Sequence, residues 1–212
     1  MEVTVAQMKQ IEHDADAMGL SYPQMMENAG QAAAKLLAAQ REIRTLTVLC
    51  GTGNNGGDGF VLARVFHEAG CRVLAVLVGG DPRTRDAILN WNRAKDLGIE
   101  IRHLPELTGE DRTFLATCDA VVDAIYGTGF HGELRPEGRA ACDLMNSAAG
   151  FRFALDLPSG VTADTGTAAE GAVKADLTVT FHASKPCHRL NPAQCGETRI
   201  ASIGIEAIPG WK

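Results

Sequence analysis

Residues whose chemistry packing does not explain cluster in four short stretches. After the apolar run "LTVLC" come Gly51-Thr52-Gly53-Asn54-Asn55-Gly56-Gly57-Asp58-Gly59. After "AVVDAI" come Tyr126-Gly127-Thr128-Gly129-Phe130-His131-Gly132-Glu133. "FRFAL" is followed by Asp156-Leu157-Pro158-Ser159-Gly160, and "DLTVTF" by His182-Ala183-Ser184-Lys185-Pro186. Glycines let a backbone approach a ligand closely and aim its N–H groups inward, so the first stretch suits a phosphate, helped by the positive end of the helix that follows. "GTGNNG" fits the G-x-G-x-x-G dinucleotide pattern, with Asp81 beyond the next apolar run. A glycine-rich turn without a ligand is the plain alternative. A Walker loop is excluded, because no Gly-Lys-Ser/Thr follows.

Asp123 and Asp156 each end an apolar run, where a carboxylate is costly unless it is paired, hydrogen-bonded or metal-bound. Either could simply cap a nearby backbone N–H. Alternatively, Asn55, Asp123 and Ser159 offer hard oxygen ligands from three stretches, a set suited to a hard cation rather than zinc. Asp156 would then be free for acid–base work. Lys185 could bind a phosphate, act in catalysis or be an ordinary surface lysine. Among the histidines, His13, His67 and His103 read as surface or packing residues. His131 and His182 lie in the unusual stretches without partners at metal-ligand spacing.

The elements that must hold these residues alternate. Val5, Met8, Ile11 and Ala15 mark one face of a helix over about residues 4–18, and a second helix starts near Pro23. Beyond them, "LTVLC", "CRVLAVLV", "IEIRHL", "AVVDAI", "FRFALDL", "DLTVTF" and "TRIASIGI" read as strands. "FVLARVFHEAG", "TRDAILNWNRAKDLG", "EDRTFLATC" and "EGRAACDLMNSAAG" read as helices between them, the first two stopped by Gly70 and Gly98. Continuous apolar strands alternating with helices predict a parallel sheet covered on both faces. The expected fold is a three-layer αβα Rossmann-like sandwich, mostly parallel, with two extra N-terminal helices, spanning 1–212 as one domain. In such a sheet the four unusual stretches share the edge at the strands' C-terminal ends, where ligands bind.

The chain's net charge of −6 argues against nucleic acid or an anionic membrane as partner. No apolar run reaches the roughly 18 residues of a membrane span. The polar, acidic start is unlike a signal peptide, so a cytoplasmic location is expected. Six scattered cysteines, none in a C-x-x-C pair, read as reduced core thiols.

Five segments occur in a telling order: "MMENAG", "CGTGNNGGDGFVLAR", "VDAIYGTGFHGE", "LDLPSGVTADTG" and "VKADLTVTFHASKP". From about Met8 to Ile205 the chain resembles the YjeF N-terminal domain family, the NAD(P)H-hydrate epimerases. The resemblance implies an isomerase that interconverts the R and S epimers of hydrated NADH and NADPH (NADHX and NADPHX). A separate S-specific dehydratase would then restore the cofactors. It implies substrate binding by Asn54 to Asp58, by Gly127 to Glu133 and by Asp156. It also implies a potassium ion (K+) on Asn55, Asp123 and Ser159, and a homodimer. Lys185 matches the family's "PK" lysine; with it, Asp156 is the expected acid–base residue. Asp58 is expected to contact substrate or cap the next helix. "HASKPCH" departs from the usual "GAPKPG", which makes His182, Cys187 and His188 local novelties. An NAD-dependent oxidoreductase would leave Asp123, "DLPSG" and the second glycine-rich stretch unexplained. A non-catalytic scaffold would not need the whole set of polar residues.

Overall fold

The structure is a computed structural model describing residues 1–209, so the last three residues of the expected 1–212 unit lie outside the described residues. Two helices open it. In α1 (Val5–Ala17), Thr4 and Gln7 cap the first turn reciprocally, side chain to backbone in both directions. Next, α2 (Tyr22–Ala38) carries Pro23 in its first turn, where a missing N–H costs nothing.

The alternating part follows as β1 (Thr45–Cys50), α3 (Asn54–Glu68), β2 (Arg72–Leu77), α4 (Arg85–Asp96), β3 (Glu100–His103), α5 (Gly109–Thr117), β4 (Ala120–Ala124), α6 (Pro136–Ser147), β5 (Phe151–Leu155), β6 (Leu177–Phe181), α7 (Pro186–Leu190), α8 (Pro192–Cys195) and β7 (Glu197–Ala201). The strand order is β3-β2-β1-β4-β5-β6-β7, and every pairing is parallel. The sheet is thus wholly rather than mostly parallel. Side chains alternate across it with period two. Leu46, Val48 and Cys50 of β1 join the core under α1–α4, while Leu49 joins the core under α5 and α6. Among the described residues no helix is long and apolar enough to cross a membrane.

Two departures from the sequence reading bear on the site. First, α3 begins at Asn54, not at Phe60, so Asn54 to Gly59 are helical rather than loop. The physical reason is close packing. A Cβ on Gly59 would stand 2.6 Å from the Ala124 side chain, and one on Gly57 would stand 2.6 Å from Met26. These glycines let α3 press onto β4 and α2. Asp58 therefore lies in the second turn and does not cap the helix, whose N-cap is Gly53. Second, α7 and α8 fill the segment between β6 and β7. Each starts on a proline but is too short for an apolar period to reveal it.

The position of α3 is fixed further by a polar cluster. Arg64 of α3 donates to Glu27 of α2 at 3.0 Å and to Asn90 of α4 at 2.8 Å, with Arg93 also on Glu27 at 3.4 Å. These charged hydrogen bonds lock three helices together behind the sheet edge. Glu27 belongs to the "MMENAG" stretch, which is thereby tied to the orientation of α3.

Candidate functional site

The four unusual stretches follow β1, β4, β5 and β6, which are adjacent in the sheet. Their residues therefore meet at one edge, next to the reversal of strand order between β1 and β4, where an open α/β sheet leaves its crevice.

Asp123, the fourth residue of β4, is fully buried. Its Oδ1 accepts from the Ser159 hydroxyl at 2.6 Å and from the Ile125 N–H at 3.1 Å; its Oδ2 accepts from the Ser159 N–H at 2.6 Å. Ser159 Oγ in turn accepts from the Tyr126 N–H at 2.9 Å. One carboxylate thus joins the segments after β4 and β5. Burial raises it to about 6 despite the hydrogen bonds from Ser159 and Ile125. Asn55 reaches the same place from α3, its Nδ2 donating to the Tyr126 carbonyl at 3.1 Å. Its Oδ1 is buried and accepts no hydrogen bond among the described residues. Among the described residues no cluster of three His, Cys, Asp or Glu side chains could hold a metal ion, so a cation here would rest on mixed oxygen donors.

Asp156 follows β5 directly and has a left-handed backbone, φ 64°. The Leu157 N–H donates to the Leu155 carbonyl at 2.8 Å, closing a γ-turn of the strained, left-handed kind around it. His182, in the equivalent place after β6, repeats the device with φ 62° and a bond from Ala183 N–H to Phe181 carbonyl. Lys185 is no surface lysine: it is 1% exposed. Its Nζ donates to Asp156 Oδ1 at 2.6 Å, to Thr180 Oγ1 at 2.9 Å and to the Phe181 carbonyl at 3.4 Å. All three of its donors are thus used within the protein. Burial pushes the Asp156 carboxyl up, but the Lys185 charge and hydrogen bond, with help from Thr180, hold it below the ordinary value. Its Oδ2 accepts no hydrogen bond among the described residues, and lies 3.5 Å from where a Cβ on Gly127 would stand. Glycine at 127 keeps that oxygen uncovered.

Asp58 and Glu12 complete an acidic group around this pair. Burial, then the charges of Asp156 and Glu12, raise Asp58 well above its ordinary value. Burial and the Asp156 charge likewise raise Glu12, a residue of α1 that no local pattern singles out.

Beside these residues opens a cavity of about 590 Å³, within the usual range for small-molecule sites. Asn54, Asn55, Gly127, Thr128, Gly129, Phe130, His131 and Glu133 line it; Gly56, Gly57, Asp58, Gly132 and Asp156 do not. The N-terminus of α3 forms part of the wall, with no side chain capping Gly53, so its first N–H groups are available to an anion. Arg83, after β2, and Arg135, at the start of α6, also line it and were not anticipated. The signal for Arg83 lay in the strand-end rule itself, since Gly79 and Gly80, both left-handed, turn the chain at the same sheet edge.

Comparison with known proteins agrees with this geometry. The family described as "YjeF-related protein N-terminus" matches residues 23–187. A protein of Nitrosopumilus maritimus named NAD(P)H-hydrate epimerase is 36% identical over 208 residues, covering 97% of this chain and 96% of its own. A Pyrobaculum aerophilum protein named bifunctional NAD(P)H-hydrate repair enzyme Nnr is 39% identical over 210 residues, and the chain spans only 42% of its length. In three dimensions the crystal structure of yeast ynu0 superposes with a TM-score of 0.79, covering 95% of this chain and 88% of that one at 22% identity. At that identity the likeness speaks for the fold. The matched span and the full-length relative together show that this chain belongs to the family of YjeF-related protein N-termini.

Proposed function

We propose that the chain is an isomerase that interconverts the R and S epimers of hydrated NADH and NADPH, the activity for which its full-length relative is named. The observation that best supports it is the Asp156 carboxylate, held ionised by Lys185, with its second oxygen next to Gly127, a residue of the cavity wall. The reaction needs such a group. The hydrated carbon bears a hydroxyl and is bonded to the ring nitrogen, whose lone pair helps expel the hydroxyl as water and leaves an iminium-like cation. Water returning to the opposite face gives the other epimer, so atoms and charge balance over the cycle.

Each half of that cycle moves a proton. Asp156 takes the proton of the incoming water, and its charge stabilises the cation. Asp58, whose carboxyl burial and the neighbouring Asp156 and Glu12 charges push up, complements it as the group's proton donor; environments that push two carboxyls apart in this way assign base and acid. Lys185 acts through Asp156. The uncapped start of α3 and Arg83 would receive the cofactor's phosphates.

A potassium ion fits the Asn55–Asp123–Ser159 corner on two observations: among the described residues the buried Asn55 Oδ1 lacks a partner and the buried Asp123 carboxylate lacks a cationic neighbour. One carboxylate with neutral oxygens suits a monovalent hard cation. Bound there, it would supply the missing positive charge and hold together the segments after β1, β4 and β5. We further place the chain beside an S-specific dehydratase, in keeping with the bifunctional name of its longer relative. The test is to add the protein to R-NADPHX with such a dehydratase and follow NADPH. Recovery should outrun spontaneous epimerisation; an unchanged rate would refute the reading.

A further inference from the structure

His188 stands out among the buried polar residues that the mechanism does not use. It sits at the third position of α7, is 8% exposed and lies where the sequence departs from the family pattern. Its Nδ1 accepts the Lys185 N–H at 2.9 Å. An amide can only donate, so Nδ1 carries no proton, and the neutral ring must carry it on Nε2. Nε2 lies 2.8 Å from the carbonyl oxygen of Asp156 and therefore donates to it. With the Lys185 Nζ bond to Asp156 Oδ1, the contacts close a ring of three residues: Asp156 to Lys185, Lys185 to His188, His188 back to Asp156.

We infer that His188 is a positioning residue for the Asp156–Lys185 pair, holding the left-handed turn at Asp156 so that its second carboxylate oxygen stays beside Gly127 of the cavity wall. The need for such a brace is visible in the backbone. A non-glycine residue at φ 64° persists only if its surroundings over-determine it. The Asp156 N–H is tied to the Val179 carbonyl of β6 at 2.7 Å, but its carbonyl has left the strand ladder. His188 supplies the second tie. The same ring seats the backbone of Lys185, whose side chain sets the charge state of Asp156. His188 does this from the third position of α7, where Glu or Gln of a capping box ordinarily reaches back to the N-cap amide. The imidazole's second nitrogen lies on the far side of the ring, where it donates to Asp156.

The inference rests on Asp156 acting in the epimerisation, and the two can be tested apart. Gln at 188 can put an amide donor near the place of Nε2, whereas Asn can put an acceptor near the place of Nδ1 but cannot reach Asp156. His188→Gln should keep kcat within about threefold, while His188→Asn and His188→Ala should lose roughly 10–100-fold in kcat with little change in KM, the scale expected for a misplaced group. Thermal unfolding confirms that each variant is folded. If Asp156→Asn is inactive while His188→Asn and His188→Ala turn over like the unmodified protein, the positioning role is overturned. If Asp156→Asn is itself fully active, the reading beneath it falls. A second measurement needs no variant: nitrogen-15 spectra of the unmodified protein at neutral pH should show the His188 ring protonated on Nε2 and bare on Nδ1. A proton on Nδ1 would overturn the inference.

Discussion

Lys185 Nζ and Asp156 Oδ1 lie 2.6 Å apart, and the lysine is the more deeply buried partner. An ion pair so placed does two things: it removes a buried charge's need for water, and it holds the carboxylate ionised at the pH where it must accept a proton. Lys185→Met should separate the two. Leaving Asp156 unpaired should destabilise the fold by about 3–5 kcal/mol, read by chemical denaturation. Burial would then dominate, so the Asp156 carboxyl should rise. Activity that needs the ionised form falls as pH drops through the carboxyl's value, so the acid limb of kcat/KM should move to higher pH. An unmoved limb would show that Lys185 does not set the charge of Asp156.

Asp156→Asn keeps the shape and the hydrogen bonds to Oδ1 but cannot exchange a proton. Epimerisation should fall by at least about 100-fold, within the range for general acid–base groups; the buried Lys185 charge loses its counter-charge, so stability should fall as well, and turnover is compared below the variant's own unfolding transition. Turnover near that of the unmodified protein would remove Asp156 from the reaction.

The cation corner predicts a ligand effect on stability. A species that binds only the folded state raises its stability by mass action. Potassium chloride should therefore raise the unfolding temperature more than choline chloride at equal ionic strength. Asn55→Ala, which deletes the partnerless Oδ1, should remove that difference. Equal shifts from both salts in the unmodified protein would contradict a specific site.

Stability at low pH also depends on a carboxylate outside the site. Asp119 accepts from the Arg44 N–H at 2.9 Å and from the Thr45 N–H and hydroxyl at 2.8 Å each, tying the start of β1 to β4. The backbone bond from Arg44, then the bonds from Thr45, lower its carboxyl below 3.8. A carboxyl lowered on folding contributes fully above its unfolded value and loses that contribution as pH falls through the lowered one. Asp119→Asn should thus be less stable at neutral pH and show a shallower loss of stability below about pH 4. Parallel stability curves for the two proteins would rule out this role.

Sequence pattern carried the architecture far. Strands buried on both faces show as unbroken apolar runs, and the seven expected strands appear together in one parallel sheet. The meeting of the four stretches was legible for the same reason, since parallel strands deliver their C-terminal residues to one edge. Other features depend on distances that no local pattern encodes. Gly57 and Gly59 looked like phosphate-facing loop residues, yet their lack of a side chain serves α3 packing against Met26 and Ala124. Lys185 could not be told from a surface lysine, because its burial depends on α7, which is too short to announce itself. The tie between His188 and Asp156 joins residues 32 apart in sequence through a left-handed turn that only the backbone reveals.

The most direct test of the central claim follows the epimers themselves. Purified R-NADPHX is incubated with the protein in oxygen-18 water, and both epimers are separated and weighed by mass spectrometry over time. The account predicts that the S epimer forms faster than in protein-free buffer and carries solvent oxygen on the epimerised carbon, since the hydroxyl leaves as water. Formation of S at the protein-free rate would contradict it.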